Sequence, residues 1–195
     1  MEYMYDFYKY NEKYIEGYLG EPENFNGIVF LLKEPNNPDG AKEFWFKNML
    51  DSTEKYLKET KNSQSIFTKF KNRFSEMIEY TDNKKELNNA IFCNVNPIYG
   101  KSKATNDFYE ILTSGKPEKM LEFFSSLKDI ITVFTCKDIY RHLLKSDKIK
   151  VLKETSGLRY KNKNEPLGCF ECEIGSTKVV VYEILHPSRS GKIQE

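Results

Sequence analysis

Neither charge is in excess in this chain: 30 Lys and Arg stand against 29 Asp and Glu over 195 residues. Global charge therefore announces no polyanionic or polycationic partner. No apolar run approaches the ~18 residues that a bilayer span requires. The N-terminal segment MEYMYDFYKY lacks the basic-then-apolar order of a secretory signal. These absences predict a soluble, cytoplasmic protein with no membrane partner. Cysteine is scarce, at four residues. Cys93 and Cys136 sit inside apolar runs, AIFCNV and ITVFTC, and read as small buried hydrophobes. Cys169 and Cys172 share a Cys-x-x-Cys spacing, but within CFECEI that spacing sends them to opposite faces of a strand. No second Cys or His pair completes a zinc site, so neither a metal nor a cofactor is expected. The chain also lacks a dinucleotide fingerprint, a Walker A sequence, a nucleophile elbow and an H-E-x-x-H zinc motif. It has no repeat, no low-complexity tract and no linker that would divide it. Residues 1–195 read as one domain.

What the chain does have is a succession of short apolar runs separated by helical patterns. Tyr3, Phe7, Tyr10, Tyr14 and Tyr18 recur at helical spacing and predict an amphipathic helix over residues 1–20, ended by Gly20 and Pro22. GIVFLL (27–32), NAIFCNV (89–95) and DIITVFTC (129–136) are continuous apolar runs, the mark of strands covered on both faces. Helical patterns fall at 41–61, along Ile66 to Ile78, at 108–112, at 117–127 and at 137–145. CFECEI and KVVVYEIL flank Gly-Ser-Thr and predict an antiparallel hairpin. Alternating strands and helices imply an α/β fold, a three-layer α/β/α sandwich whose short central sheet is mostly parallel with one added hairpin strand.

Ligands of open α/β sheets bind outside the carboxyl ends of the strands. Three such ends carry polar clusters stiffened by proline. The first strand runs into KEPNNPDG, with Glu34, Asn36, Asn37 and Asp39. The second ends on Asn94 and Asn96, with Pro97 and Tyr99 next. The last, VVVYEIL, delivers His186 into Pro187, Ser188 and Arg189. A carboxylate or carboxamide can position a water, an amide can grip a ring by two hydrogen bonds, and an imidazole can stabilise an oxyanion. From Lys137 to Lys163 nine Lys or Arg face only three acids, which suits either a solvated surface or a phosphate-tracking patch.

This pattern resembles the uracil-DNA glycosylase superfamily, whose active-site loops follow the first, second and last strands and whose last motif begins His-Pro-Ser. HPSRS (186–190) looks like that motif, and IFCN is similar to the apolar-run-plus-Asn segment that reads the base edge. The resemblance implies that His186 hydrogen-bonds the carbonyl of the departing base and that Asn94, or alternatively Asn96, selects the base. It implies an aromatic stacked on the base, with Phe44, Trp45, Phe46 and Tyr99 as candidates. Ser188, Arg189 and Lys192 would contact DNA. The first loop lacks the family's leading glycine and fits two registers. On one Asn37 positions the water, and on the other Glu34 takes the acidic position. The last loop is shorter than the family pattern.

The expected activity is hydrolysis of the N-glycosidic bond of a flipped-out base such as uracil, with DNA as partner. A second reading is a glycosylase-like protein that binds a nucleic acid, a nucleotide or a protein without turnover. A third is hydrolysis of a small N-glycoside. The basic stretch discriminates among them, because a nucleic-acid ligand requires it on the side of the His186 strand end.

Overall fold

The computed structural model describes residues 18–19, 25–33, 66–81, 87–96, 106–185 and 192–193. They form seven strands and four α-helices: β1 (Tyr18–Leu19), β2 (Ile28–Leu32), α1 (Ile66–Thr81), β3 (Ile91–Asn94), α2 (Asn106–Thr113), α3 (Lys116–Ser125), β4 (Ile130–Cys136), α4 (Lys137–Lys145), β5 (Lys150–Ser156), β6 (Gly168–Ile174) and β7 (Thr177–Ile184). One mixed sheet takes all seven strands in the order β1-β3-β2-β4-β7-β6-β5. β3, β2, β4 and β7 run parallel in its middle. β1 is antiparallel to β3 at one edge, and β6 and β5 extend the other edge antiparallel. Chain order reverses between β2 and β4, which makes that pair the topological switch point of the parallel segment.

The apolar runs form strands because they must bury both faces. Alternation sends Val29 and Leu31 into a cluster with Phe108, Leu121, Phe124, Ile139 and Leu143 from α2, α3 and α4. Ile28 and Phe30 go to a second cluster with Phe74, Met77 and Ile78 of α1. On that second face the register aligns Phe92, Phe30, Phe134 and Tyr182 in one row across the four parallel strands. Their rings stack at centroid distances of 4.7, 5.0 and 5.5 Å in turn. Phe74 closes over the row edge-on, 4.5 Å from Phe30 and 5.2 Å from Phe92. Each such pair contributes about 0.5–1.5 kcal/mol beyond the burial of its area.

The antiparallel extension is built differently. The β6–β7 turn is the two-residue Gly175-Ser176, with Gly175 at φ 62°, as a tight hairpin demands. Charged pairs lie across these strands, Lys178–Glu171 at 2.7 Å and Lys150–Glu173 at 3.4 Å, both too solvated to contribute much. All of β5 except Val151 is exposed, and its pairing with β6 slips between Val151 and Lys153. Tyr140 of α4 packs against the start of β6: a methyl group on Gly168 would lie 2.5 Å from the tyrosine oxygen and 2.7 Å from its ring carbon. Glu118, buried near the start of α3, accepts a hydrogen bond from Ser146 Oγ at 2.6 Å and is hydrogen-bonded to His142 Nε2 at 3.0 Å. One carboxylate thus ties α3 to the C-terminal end of α4.

The expected strands at 27–32, 89–95 and 129–136 and the hairpin at Gly-Ser are present, as is the helix at 137–145. Two features depart from expectation. KVLKETS forms β5 although it has no buried face, its backbone pairing with β6 along one side. Tyr18 and Leu19, placed by aromatic spacing at the end of a helix, instead pair with Cys93 and Phe92 as an edge strand. Residues 1–17 and the helix expected at 41–61 lie outside the described residues. Among the described residues no helix is long and apolar enough to cross a membrane.

Two substitutions separate overpacking from cavity formation. Gly168→Ala, forced against Tyr140, is expected to lower unfolding free energy by about 1–3 kcal/mol. Phe30→Ala, which empties the centre of the aromatic row, is expected to lower it by about 3–5 kcal/mol. Urea denaturation of the two variants against the parent chain checks both values and their order.

Candidate functional site

The carboxyl ends of the four parallel strands lie along one edge of the sheet. Neighbouring strands are spaced about 4.8 Å apart, so the ends of β3, β2, β4 and β7 span roughly 14 Å. β2 and β3 remain paired beyond their last strand residues. Val95 N–H donates to the Leu32 carbonyl and Asn96 N–H to the Lys33 carbonyl, both at 2.8 Å. That continuation carries Asn94 and Asn96 into the interior, 3% and 1% exposed. Asn94 lies opposite Leu32 and, by alternation from Phe92, on the α1 face.

On the other face the switch point holds an ion pair. Lys33, the first residue after β2, donates its ammonium to Asp138 in the first turn of α4. The ammonium also lies 5.5 Å from the centroid of the Phe108 ring. β4 passes into α4 with no connecting residue, Cys136 ending the strand and capping the helix. A carboxylate in a helix's first turn suits the helix dipole, and here it also finds a cation. Burial alone would lower the Lys33 pKa; the Asp138 hydrogen bond and nearby negative charge outweigh it and hold the group above its ordinary value. Sequence reading missed this pair. Its partners stand 105 positions apart, and only the adjacency of β2 and β4 brings them together.

The end of β7 is framed by the connection between β5 and β6. Tyr160, fully buried in the α1-face cluster, forms an antiparallel bridge with Ile193, and Lys161 N–H donates to the Lys192 carbonyl at 2.8 Å. Leu185 packs against the same cluster, and its amide lies against the Tyr160 hydroxyl. The chain that leaves the sheet at Leu185 and the chain that returns at Lys192 therefore both meet the segment 158–161. Of the residues singled out in the sequence, Asn94 and Asn96 lie buried together at the end of β3 and its continuation, and Lys192 is exposed beside Lys161. Glu34, Asn36, Asn37, Asp39, Phe44, Trp45, Phe46, Tyr99, His186, Ser188 and Arg189 lie outside the described residues.

The nine cations of the basic stretch are all exposed, and those near the ends of elements divide between the two edges of the sheet. β5 runs in the same direction as β7, because both are antiparallel to β6. Arg159, Lys161 and Lys163 therefore lie beyond the carboxyl edge, as does Lys137 at the start of α4. Lys145, Lys148 and Lys150, at the end of α4 and the start of β5, lie at the opposite edge.

Titratable groups in the sheet and on the helices packed against it are shifted by burial. Burial pushes the Cys136 thiol up to about 11 against the opposing backbone amides of Ile139 and Asp138 and the Lys33 charge. It pushes Cys172 up to about 12, Tyr140 to about 12 and Tyr182 to about 12, and it raises Cys93 and Cys169. Burial pushes the Lys116 ammonium down to about 8. Among the described residues no three His, Cys, Asp or Glu side chains gather closely enough to hold a metal ion.

These shifts set a pH dependence. The folded chain keeps its thiols and phenols protonated where the unfolded chain, with ordinary values near 8.5 and 10, has released the protons. Their contribution to stability is complete below about pH 8.5 and is lost as pH rises through the folded values of about 11–12. The urea midpoint should fall between pH 8 and pH 10.5, and less steeply for Cys172→Ala than for the parent chain. An equal slope would remove the thiol contribution.

No protein-family model, no curated protein and no solved structure matches this chain, so its chemistry is read from its own residues.

Proposed function

We propose that this chain is a base-excising N-glycosyl hydrolase of the uracil-DNA glycosylase kind, a three-layer α/β/α domain that acts at the carboxyl edge of its sheet. The single observation that carries the reading is the position of Asn94. It is a buried amide at the end of β3, paired with the last residue of β2 and on the face where the segments flanking His-Pro-Ser meet Tyr160 and Lys161. The strand order adds support. The first, second and last parallel strands end on one edge, so their loops leave from one side of the sheet. Core clusters with helical residues on both faces agree with the three-layer frame.

The chemistry follows from these groups. A base flipped from its stack, at a cost of about a few kcal/mol, would present its edge to the Asn94 amide. The bond from the sugar anomeric carbon to the base nitrogen breaks, and its electron pair leaves with the base. His186 donates a hydrogen bond to the carbonyl oxygen on which that charge collects. A water held by Asn37, or by Glu34 in the other register, adds its oxygen to the anomeric carbon, and its proton goes ultimately to the departing base. The missing glycine in the first loop bears on how closely backbone approaches the substrate there.

A single-turnover assay tests this reading, with protein in excess over single- and double-stranded oligonucleotides carrying uracil, hypoxanthine or a mismatched base. Abasic sites revealed by alkaline cleavage are expected, and His186→Ala should slow their formation by about 10²–10³-fold. Folded protein that excises nothing would exclude the hydrolase and leave the reading in which the same edge binds without turnover.

A further inference from the structure

We infer that the β5–β6 connection, residues 157–167, is a contact surface for a nucleic-acid backbone, built onto the sheet beside the end of β7. The inference rests on the reading of the carboxyl edge as a nucleic-acid site, and not on turnover there. Arg159, Lys161 and Lys163 are all exposed, and Glu165 is the one acid in the segment. Leu158 and Tyr160, which alternate with the first two cations, are fully buried in the α1-face cluster. Anchoring the apolar residues sends the cations outward. The backbone is held as well. Lys161 N–H donates to the Lys192 carbonyl, Lys163 N–H donates to the Tyr160 carbonyl at 2.9 Å, and the Arg159 guanidinium donates to the Asn164 carbonyl at 3.4 Å. The charges are thus spread along a fixed segment rather than gathered around a point.

That arrangement fits a chain of phosphates better than a single phosphate, which needs donors that converge. It also disfavours a lipid surface. The exposed residues of the segment are Arg159 and residues 161–165, none of them apolar, so nothing is available to enter an acyl layer. The partner is the phosphodiester backbone of a strand whose bases reach the carboxyl edge. Lys145, Lys148 and Lys150 form an internal control: three exposed cations at the opposite edge.

The test measures the affinity of the full chain for short labelled oligonucleotides, single- and double-stranded, by fluorescence anisotropy between about 50 and 200 mM salt. Each phosphate contact contributes about 0.9 to the slope of log affinity against log salt on duplex and about 0.7 on a single strand. Arg159→Gln/Lys161→Gln/Lys163→Gln should lower that slope by about 2–3, and Lys145→Gln/Lys148→Gln/Lys150→Gln should leave it unchanged. Should the first triple variant prove destabilised, Lys161→Gln/Lys163→Gln keeps the Arg159–Asn164 contact and should lower the slope by about 1.4–1.8. Equal losses from both triples, or none from the first, would overturn the inference. So would binding to vesicles of anionic lipid, lost on the same substitutions, by a chain that binds no oligonucleotide. Salt-dependent binding by a chain that excises nothing would sink only the hydrolase. Excision with a slope indifferent to the first triple would sink only this surface.

Discussion

The row of rings from Phe92 through Phe30 and Phe134 to Tyr182 fixes the alignment of the four parallel strands, and the geometry of the carboxyl edge depends on it. A slip of one residue in any of these strands would turn its ring to the opposite face of the sheet and break the row. The register so defined sets where each strand ends. Asn94 lies opposite Leu32, and Cys136 opposite Ile184, because Phe92 lies opposite Phe30 and Phe134 opposite Tyr182. Stacking in the middle of the sheet thereby determines which polar residues share its edge.

The sheet is asymmetric about β7. On one side β4, β2 and β3 are parallel to it, buried on both faces and rich in continuous apolar residues. On the other, β6 and β5 carry charged pairs on a solvated surface. Within the antiparallel addition, β6 places Phe170 and Cys172 in the other cluster, and its connection to β5 supplies Leu158 and Tyr160 to the α1-face cluster. It is therefore anchored by its loop as much as by its strands. That anchoring fixes exposed cations in place beside the end of β7.

The parallel strands were legible in the sequence because burial on both faces leaves no choice but apolar runs, and the hairpin because Gly175-Ser176 is a turn in chemical terms. β5 was not legible. KVLKETS shows neither alternation nor an apolar run, since it buries no face, and its lysines drew attention as charge rather than as strand. Tyr18 misled in the opposite sense, continuing a helical stripe while its backbone pairs with β3. At the site, Asn94 could be found because a strand end is visible in sequence and a buried amide there is chemically pointed. The Lys33–Asp138 pair could not be found, because which strands are neighbours is a property of topology and not of spacing. The division of the basic stretch between two edges was hidden for the same reason: it depends on the direction of a strand the sequence did not announce.

The pairing slip between Val151 and Lys153 in β5 has a consequence for the chain's behaviour in concentrated solution. β5 ends the described sheet, and a terminal strand offers its unpaired amides and carbonyls to any other chain as a template. A local kink in such a strand spoils the straight rail that a second strand would need. Lys150 and Lys153 add a charge that an approaching copy would have to bury. The irregularity thus serves as a guard against self-association at the sheet margin.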